Sequence, residues 1–593
     1  MARLKRVGIY ALALTVVLFT LQRFRDTILN TAQGHYRAWN RFGSSESLDS
    51  NGRFRWSSVP VHFPPDLITS LPSGKPLRLP KVQHTFEPES TEEAVLRQSR
   101  RDQVKTAFER CWTAYREHAW MKDEVAPLSG GYRNGFGGWA ATLIDNLDTL
   151  WIMEMKDEFE VAVSAAVNVD LGVSTLQTVN VFETTIRHLG GLLAAYDLSG
   201  DRRLLSKAGE VGDMLYVAFD TPNRMPITRW NFQNGAKGVP QIGDDFVLVA
   251  EIGSLTMEFT HLSQLTRDPK WYDAVRRIVD VFDQQQNQTQ LPGMWPVVVN
   301  AQKANLTREN SFGLGAMSDS LYEYFPKMHA LLGGLDSVYE KLYRGAMAAA
   351  AQHVLWRPMT PNNADILISG DVRMRTPSVS ELDPQGQHLV CFAGGMFALG
   401  SRLFDIPAHM DIAHKLVDGC TWTYKAFPLG IMPETFHMVP CPSKSGCQWD
   451  EAKWKAEAKA RSVPATNQDA MQVVEQLRLP PGFTAVGDRR YVLRPEAIES
   501  VFILYRITGR KDLLDTAWDM FSAIQKYTET DLANAAIADV TVTDGKPPKL
   551  DSMESFWMAE TLKYFYLLFS DPGTVSLDEY VFNTEAHPFK RPI

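Results

Sequence analysis

The chain reads as an all-α protein, an α/α barrel of helical hairpins, and three observations predict it. Apolar residues recur at helical spacing through most of the body, as at Val104, Phe108, Cys111, Trp112 and Tyr115, or at Leu255, Phe259, Leu262 and Leu265. Short turn signals separate these runs. At three places, residues 194–205, 261–272 and 505–514, a helix ends in an LSGD, LTRD or ITGR turn and another follows at once. Such a rhythm is that of stacked helix pairs.

Taken in order, the first segment is basic and then apolar. Arg3, Lys5 and Arg6 precede an uncharged run over residues 7–21, and Gln22, Arg23 and Arg25 follow it. That run is short for a membrane span of about 20 residues and overlaps the apolar region of a signal peptide. No small-residue cleavage site follows, so residues 1–25 are expected to form an uncleaved signal anchor with the rest of the chain lumenal; a cleaved signal peptide is the alternative. Residues 26–92 carry Ser-, Gly- and Pro-rich pieces with little periodicity and are expected to be a poorly ordered stem. Residues 93–593 contain no linker between two patterned halves and are expected to be one catalytic domain. Within it, residues 467–481 are the least patterned and predict a surface insertion.

The formal charge of −8 across 593 residues offers no basic face for nucleic acid. No Gly-x-Ser-x-Gly elbow, P-loop or dinucleotide-binding glycine pattern is present. Five cysteines, without a CxxC or Cys/His cluster, argue against structural zinc. In an oxidising lumen Cys441 could pair with Cys447, and Cys391 with Cys420, leaving Cys111 as the odd one; five free thiols would suit a cytosolic protein. The sequons at Asn287 and Asn305 fit a lumenal address.

The chemical signal is a set of acids embedded among apolar residues: Glu183, Asp319, Glu434, Glu496, Glu499, Glu554, Glu560 and Glu585. Each has a structural alternative. Asp319 and Glu496 could serve helix N-termini, the latter after Pro495, and Glu183 could pair with Arg187 one turn on. As a set they are costly to bury without a purpose. Glu496 and Glu499 share a helix face, and two convergent carboxyls whose pKa values are pushed apart are what glycoside hydrolysis needs. Trp139, Trp295, Phe556 and Trp557 could stack on sugars or simply fill the core.

Seven segments carry a resemblance: residues 145–151 (DNLDTLW), 181–193 (VFETTIRHLGGLL), 319–324 (DSLYEY), 388–392 (HLVCF), 493–496 (LRPE), 553–556 (MESF) and 583–588 (NTEAHP). In this order, across residues 98–592, they resemble the class I α-1,2-mannosidases of glycoside hydrolase family 47. The resemblance implies an (α/α)7 barrel, one bound Ca²⁺ and inverting hydrolysis of terminal α-1,2-linked mannose on high-mannose N-glycans. It implies Glu183 as general acid acting through water, Glu496 as general base, and Asp319 and Glu434 as two further essential acids. Thr584 would hold calcium, with Glu499, Glu554 and Glu585 tethering its waters. Arg187, Arg494 and Asp145 would contact substrate, and Cys391 would pair with Cys420. It places the chain in the membrane of the endoplasmic reticulum or Golgi, with a quality-control relative that marks or binds misfolded glycoproteins as the alternative. An arginine that some endoplasmic-reticulum members place two residues before the essential aspartate is Met317 here, which leaves branch preference open.

Overall fold

A computed structural model describes Leu48 and residues 52–376, 378–462 and 468–592. The body is a helical barrel whose helices come in antiparallel pairs. In chain order the longer helices are α1 (Thr91–His118), α2 (Lys156–Ala166), α3 (Gly190–Ser199), α4 (Arg202–Val217), α5 (Thr256–Thr266), α6 (Lys270–Gln285), α7 (Asp319–Leu331) and α8 (Val338–His353). After them come α9 (Phe392–Leu403), α10 (Pro407–Ala426), α11 (Glu451–Arg461), α12 (Glu496–Thr508), α13 (Asp512–Thr528) and α14 (Leu562–Leu568).

Burial sorts them into two rings. In α7, every residue from Ser320 to Leu331 is buried, and α9, α12 and α14 are covered almost as completely. A helix buried on all sides belongs inside others. By contrast α4, α6, α8 and α13 bury one stripe and expose the rest, as an outer ring does. Inner α3, α5, α7, α9 and α12 pair with outer α4, α6, α8, α10 and α13, while α14 packs on α1. The three turns read from the sequence close these pairs at Gly200, Arg267 and Gly509, all left-handed, with φ of 73°, 66° and 72°. Glycine takes that conformation freely; Arg267 does so at a steric cost.

Short strands decorate the barrel ends. The ribbon β1 (Thr178–Asn180) with β2 (Arg229–Asn231) is antiparallel, pairing Asn180 with Arg229 and Val179 with Trp230. A three-stranded sheet joins β3 (Ser311–Gly313), β4 (Asp371–Thr376) and β5 (Val379–Asp383). A second joins β6 (Gln385–Gln387), β7 (Thr435–Met438) and β8 (Phe483–Asp488). The C-terminal ribbon β9 (Tyr580–Phe582) with β10 (Pro588–Lys590) projects its turn between α3, α7 and α14: Asn583 Nδ2 donates to Ile186 O, and Lys563 Nζ to Ala586 O.

One expectation is corrected. The stretch expected to be a poorly ordered stem is, from residue 52 on, a strap laid across the barrel. Trp56 and Val82 are buried, and backbone N–H groups of His62, Phe63, Thr69 and Val82 donate to Asp220, Asp273 and Asp578. It lacks periodicity because carboxylates on the barrel, not a ladder of its own, satisfy its amides. Residues 468–481, expected as a surface insertion, lie mostly at the surface and form a short helix laid on the body. The helix Ala470–Gln476 starts with a capping box at Asp469, and its Val473 is buried, as is Val474, which packs with Met359, Val439 and Trp454 in a satellite cluster. The expected anchor, residues 1–25, lies outside the described residues; among those described no helix is long and apolar enough to cross a membrane. Disulfides join Cys391 to Cys420 and Cys441 to Cys447, and Cys111 is free and buried.

Candidate active site

The inner helices begin at one end of the barrel, and a pocket of about 320 Å³ opens there. Its walls come from the starts of these helices: Glu183, Ile186 and Arg187 ahead of α3, Asp319 and Glu323 on α7, Phe392 on α9, Glu496 and Glu499 on α12, Phe556 and Glu560 ahead of α14. Thr584 and Glu585 reach it from the C-terminal turn. Helix N-termini carry partial positive charge, which favours carboxylates there. Two π-helical stretches, Thr184–Leu189 and Trp557–Thr561, insert an extra residue per turn where Arg187 and Glu560 enter. Such bulges recur at functional sites because they re-aim side chains without ending the helix.

Glu496 is the first residue of α12, and its neighbours fix its charge. His388 Nδ1 lies 2.8 Å from Glu496 Oε2, the other ring nitrogen lies 2.7 Å from the Tyr424 hydroxyl, and Arg494 is 3.7 Å from Oε1. Burial penalises the Glu496 charge, but the His388 hydrogen bond and the Arg494 guanidinium outweigh it and hold the carboxyl below its ordinary range. Asp319 goes the other way. Burial, with the Glu323 and Glu496 charges, pushes it up to about 7. One pocket thus holds a carboxyl kept ionised and another whose burial favours its protonated form.

Deeper in, Glu499 is pushed up to about 8, first by burial and then by Glu323 and Glu496. Burial also drives Glu560 and Glu585 well above the carboxylate range, each reinforced by neighbouring acids. This floor presents the carboxyl oxygens of Glu499, Glu560 and Glu585 beside Thr584, with Lys327 3.5 Å from Glu499 and Arg187 paired with Glu585; oxygen donors of this kind suit a hard cation such as Ca²⁺. Among the described residues no three His, Cys, Asp or Glu side chains converge as a direct cage, so a cation here would depend on Thr584 and on waters held by the acids.

The predicted residues divide. Glu183, Arg187, Asp319, Arg494, Glu496, Glu499, Thr584 and Glu585 line the pocket. Glu183 also pairs with Arg187, whose Nε lies 2.9 Å from Oε2, so the one-turn ion pair is real as well. Glu434 stands behind the wall, paired with Arg494 and accepting from Val492 N. Glu554 is not among the lining residues. Asp145, expected to contact substrate, does not line the pocket: it is fully buried under Arg187 and Ser555, with His587 Nε2 at 3.1 Å. Burial would raise it, but His587 and Arg187 bring it down to about 2. Beyond it the charges continue through His587 to Asp148 and on to Lys563, 3.0 and 2.8 Å apart and without exposed surface. Of the aromatics, Phe556 lines the pocket, whereas Trp139, Trp295 and Trp557 are core.

Reading the residues did not single out His388, Glu251 or Glu323 for a role. His388 lay inside a quoted motif, but nothing in its spacing linked it to Glu496, 108 positions away. Glu251 and Glu323 sit in apolar runs like the other acids, and that signal could have found them.

Comparison with known proteins agrees with this geometry. Residues 107–591 match the family described as Glycosyl hydrolase family 47. The human endoplasmic reticulum mannosyl-oligosaccharide 1,2-alpha-mannosidase is 34% identical over 492 residues, covering 82% of this chain and 63% of its own length. This chain therefore spans less than two thirds of that relative. The probable mannosyl-oligosaccharide alpha-1,2-mannosidase 1B of Aspergillus niger is 30% identical over 83% of this chain and 92% of its own. Among solved structures, alpha-1,2-mannosidase from Trichoderma reesei superposes with a TM-score of 0.72 at 30% identity, covering 83% of this chain and 99% of that one.

Proposed function

Because the chain belongs to glycosyl hydrolase family 47, we propose that it removes terminal α-1,2-linked mannose from high-mannose N-glycans, with inversion, in the secretory pathway. The observation that carries this is the meeting of Glu183 and Glu496 in one pocket, with Glu496 held ionised by His388 and Arg494 and with Asp319 in the same wall. An inverting glycosidase needs an ionised base to activate water and an acid to protonate the leaving oxygen.

In this reading Glu496 takes the proton from the attacking water, and His388 and Arg494 keep it ionised and aimed. Glu183 delivers a proton to the glycosidic oxygen through a water, while its pairing with Arg187 fixes its position. Asp319 and the Glu434–Arg494 pair orient the sugar and the wall around it. Phe556 offers an apolar face to the ring, and the arginines at positions 187 and 494 lie over its π-system, 5.6 and 6.0 Å from the centroid. Thr584, with waters held by Glu499, Glu554 and Glu585, would hold Ca²⁺; when bound, that ion supplies positive charge and oxygen coordination for sugar hydroxyls. The ring is read as an (α/α)7 barrel, and the N-terminal segment as a type II anchor in the endoplasmic reticulum or Golgi membrane.

The test is hydrolysis of a defined nine-mannose glycan by the full chain and by Glu496→Gln. The expected result is free mannose from the first and a folded, inactive second protein. Undiminished turnover by Glu496→Gln would remove the base, and no release by the parent chain would remove the activity.

A further inference from the structure

The strap over residues 52–90 lies ahead of the residues that match the family, and one of its contacts sits behind the pocket's rim. Trp56 is 2% exposed. Its indole N–H donates to Leu171 O at 3.1 Å, and its ring lies 5.5 Å from that of Trp230 and 5.1 Å from that of Phe232. Phe54 meets it edge-on at 4.9 Å. Trp230 is the middle residue of β2, so its neighbours Arg229 and Asn231 point to the opposite face of the ribbon. On that face Arg229 reaches the pocket and lies 2.6 Å from Glu251, with half of its side chain in solvent. Asn180, paired with Arg229 across the ribbon, lines the pocket too. Further on, Pro60 lies over Gly238, beyond the short helix Phe232–Ala236 that follows β2, and Phe63 O accepts from Arg224.

The ribbon is two strands of three residues each, and a two-stranded ribbon is marginal alone. It is held from below by the packing of Trp230, whose indole N–H also donates to Gln241 Oε1 at 2.7 Å, and at its end by Thr228 N donating to Asp244. We infer that Trp56 is a positioning residue for glycan recognition: through Trp230 it sets the ribbon that holds Asn180 and the Arg229–Glu251 pair at the mouth of the pocket. The buried acids receive the terminal sugar, so the mouth is where the rest of a branched oligosaccharide must pass. Its hydroxyl groups are suitable partners for an exposed guanidinium, an amide and a carboxylate. The ligand class is thus the branched part of a mannose-rich oligosaccharide, beyond the scissile bond. This deepens the mannosidase reading and rests on it.

The test compares two substrates, α-1,2-mannobiose and a branched nine-mannose glycan, across Trp56→Ala, Trp56→Phe, Arg229→Ala and the double variant Trp56→Ala/Arg229→Ala. Trp56→Ala should raise KM for the branched glycan by about fivefold, the worth of one rim hydrogen bond, with kcat little changed. The disaccharide should respond much less. Trp56→Phe should recover most of the difference. Because Trp56 acts through the ribbon, the effects of the double variant should be less than additive, with Asn180 the part of the mouth that Trp56 still sets once Arg229 is gone. Asp578→Asn loosens the strap at Val82, far along it, and should lower the melting temperature without separating the two substrates.

Equal effects of Trp56→Ala on both substrates, or additive effects with Arg229→Ala, would overturn the inference. Binding of the branched glycan is measured by calorimetry beside turnover. A parent chain that binds the glycan but releases no mannose fails as a mannosidase, and the coupling of Trp56 to Arg229 is still read in affinity. A parent chain that neither binds nor cleaves it overturns both.

Discussion

His388 has no exposed surface and touches Glu496 through one ring nitrogen and Tyr424 through the other. Replacing it with leucine removes the donor to Glu496 and leaves Arg494, 3.7 Å away, as the remaining positive neighbour. A hydrogen bond to a charged group contributes about 1.5–3 kcal/mol. Because 1.36 kcal/mol corresponds to one pKa unit, the Glu496 carboxyl should rise by roughly 1–2 units. The sign follows from its role. A general base works when ionised, and Glu496 is held below its ordinary range, so activity is lost as pH falls through that lowered value. With His388 gone the same loss should occur at higher pH. The acidic limb of kcat/KM therefore moves up by roughly 1–2 pH units while the alkaline limb stays. His388→Gln, which keeps an N–H donor, should shift the limb less. The assay is mannose release across the pH range, with circular dichroism to confirm the fold. An acidic limb that does not move in a folded His388→Leu protein would refute the idea that His388 sets the charge of Glu496.

Three further outcomes are expected. The first product observed by NMR should be β-mannose; α-mannose would refute inversion and with it the division of labour between Glu183 and Glu496. Chelation should abolish turnover and lower the melting temperature, both restored by Ca²⁺, because a ligand that binds only the folded state stabilises it; an unchanged melting temperature would argue against an ion at Thr584. Lys563→Met should destabilise the fold by about 3 kcal/mol in denaturant titration, since removing one member of a buried pair strands the other. Asp148 is the stranded group, and full stability in that variant would show that His587 alone neutralises it.

The C-terminal turn explains why so many charges are buried beneath the pocket. Asn583 donates to Glu258, whose other partner is the Tyr324 hydroxyl, each at 2.7 Å, and Tyr324 in turn accepts from Thr584 N. His587 bridges Asp145 and Asp148. A turn inserted between helices cannot complete its hydrogen bonds through a ladder, so side chains from α5, α7 and α14 supply them. The cost of burying those charges is offset only because each finds a partner.

The sequence by itself determined the helical class, the hairpin rhythm and the suspicion attached to the acids. Periodicity and turn residues are local properties, and LSGD, LTRD and ITGR ended their helices where expected. The motifs also named most of the pocket wall. Only the tertiary structure decided that Asp145 lies beneath Arg187 rather than in the pocket wall, because DNLDTLW does not say which face turns to the core. The same holds for His388 and Glu496, whose contact depends on how α9 and α12 pack. The strap is the clearest case: its amides donate to Asp220, Asp273 and Asp578 and to the carbonyls of Gly333 and Arg506 on distant parts of the barrel, so no pattern within residues 52–90 could have announced that it is ordered.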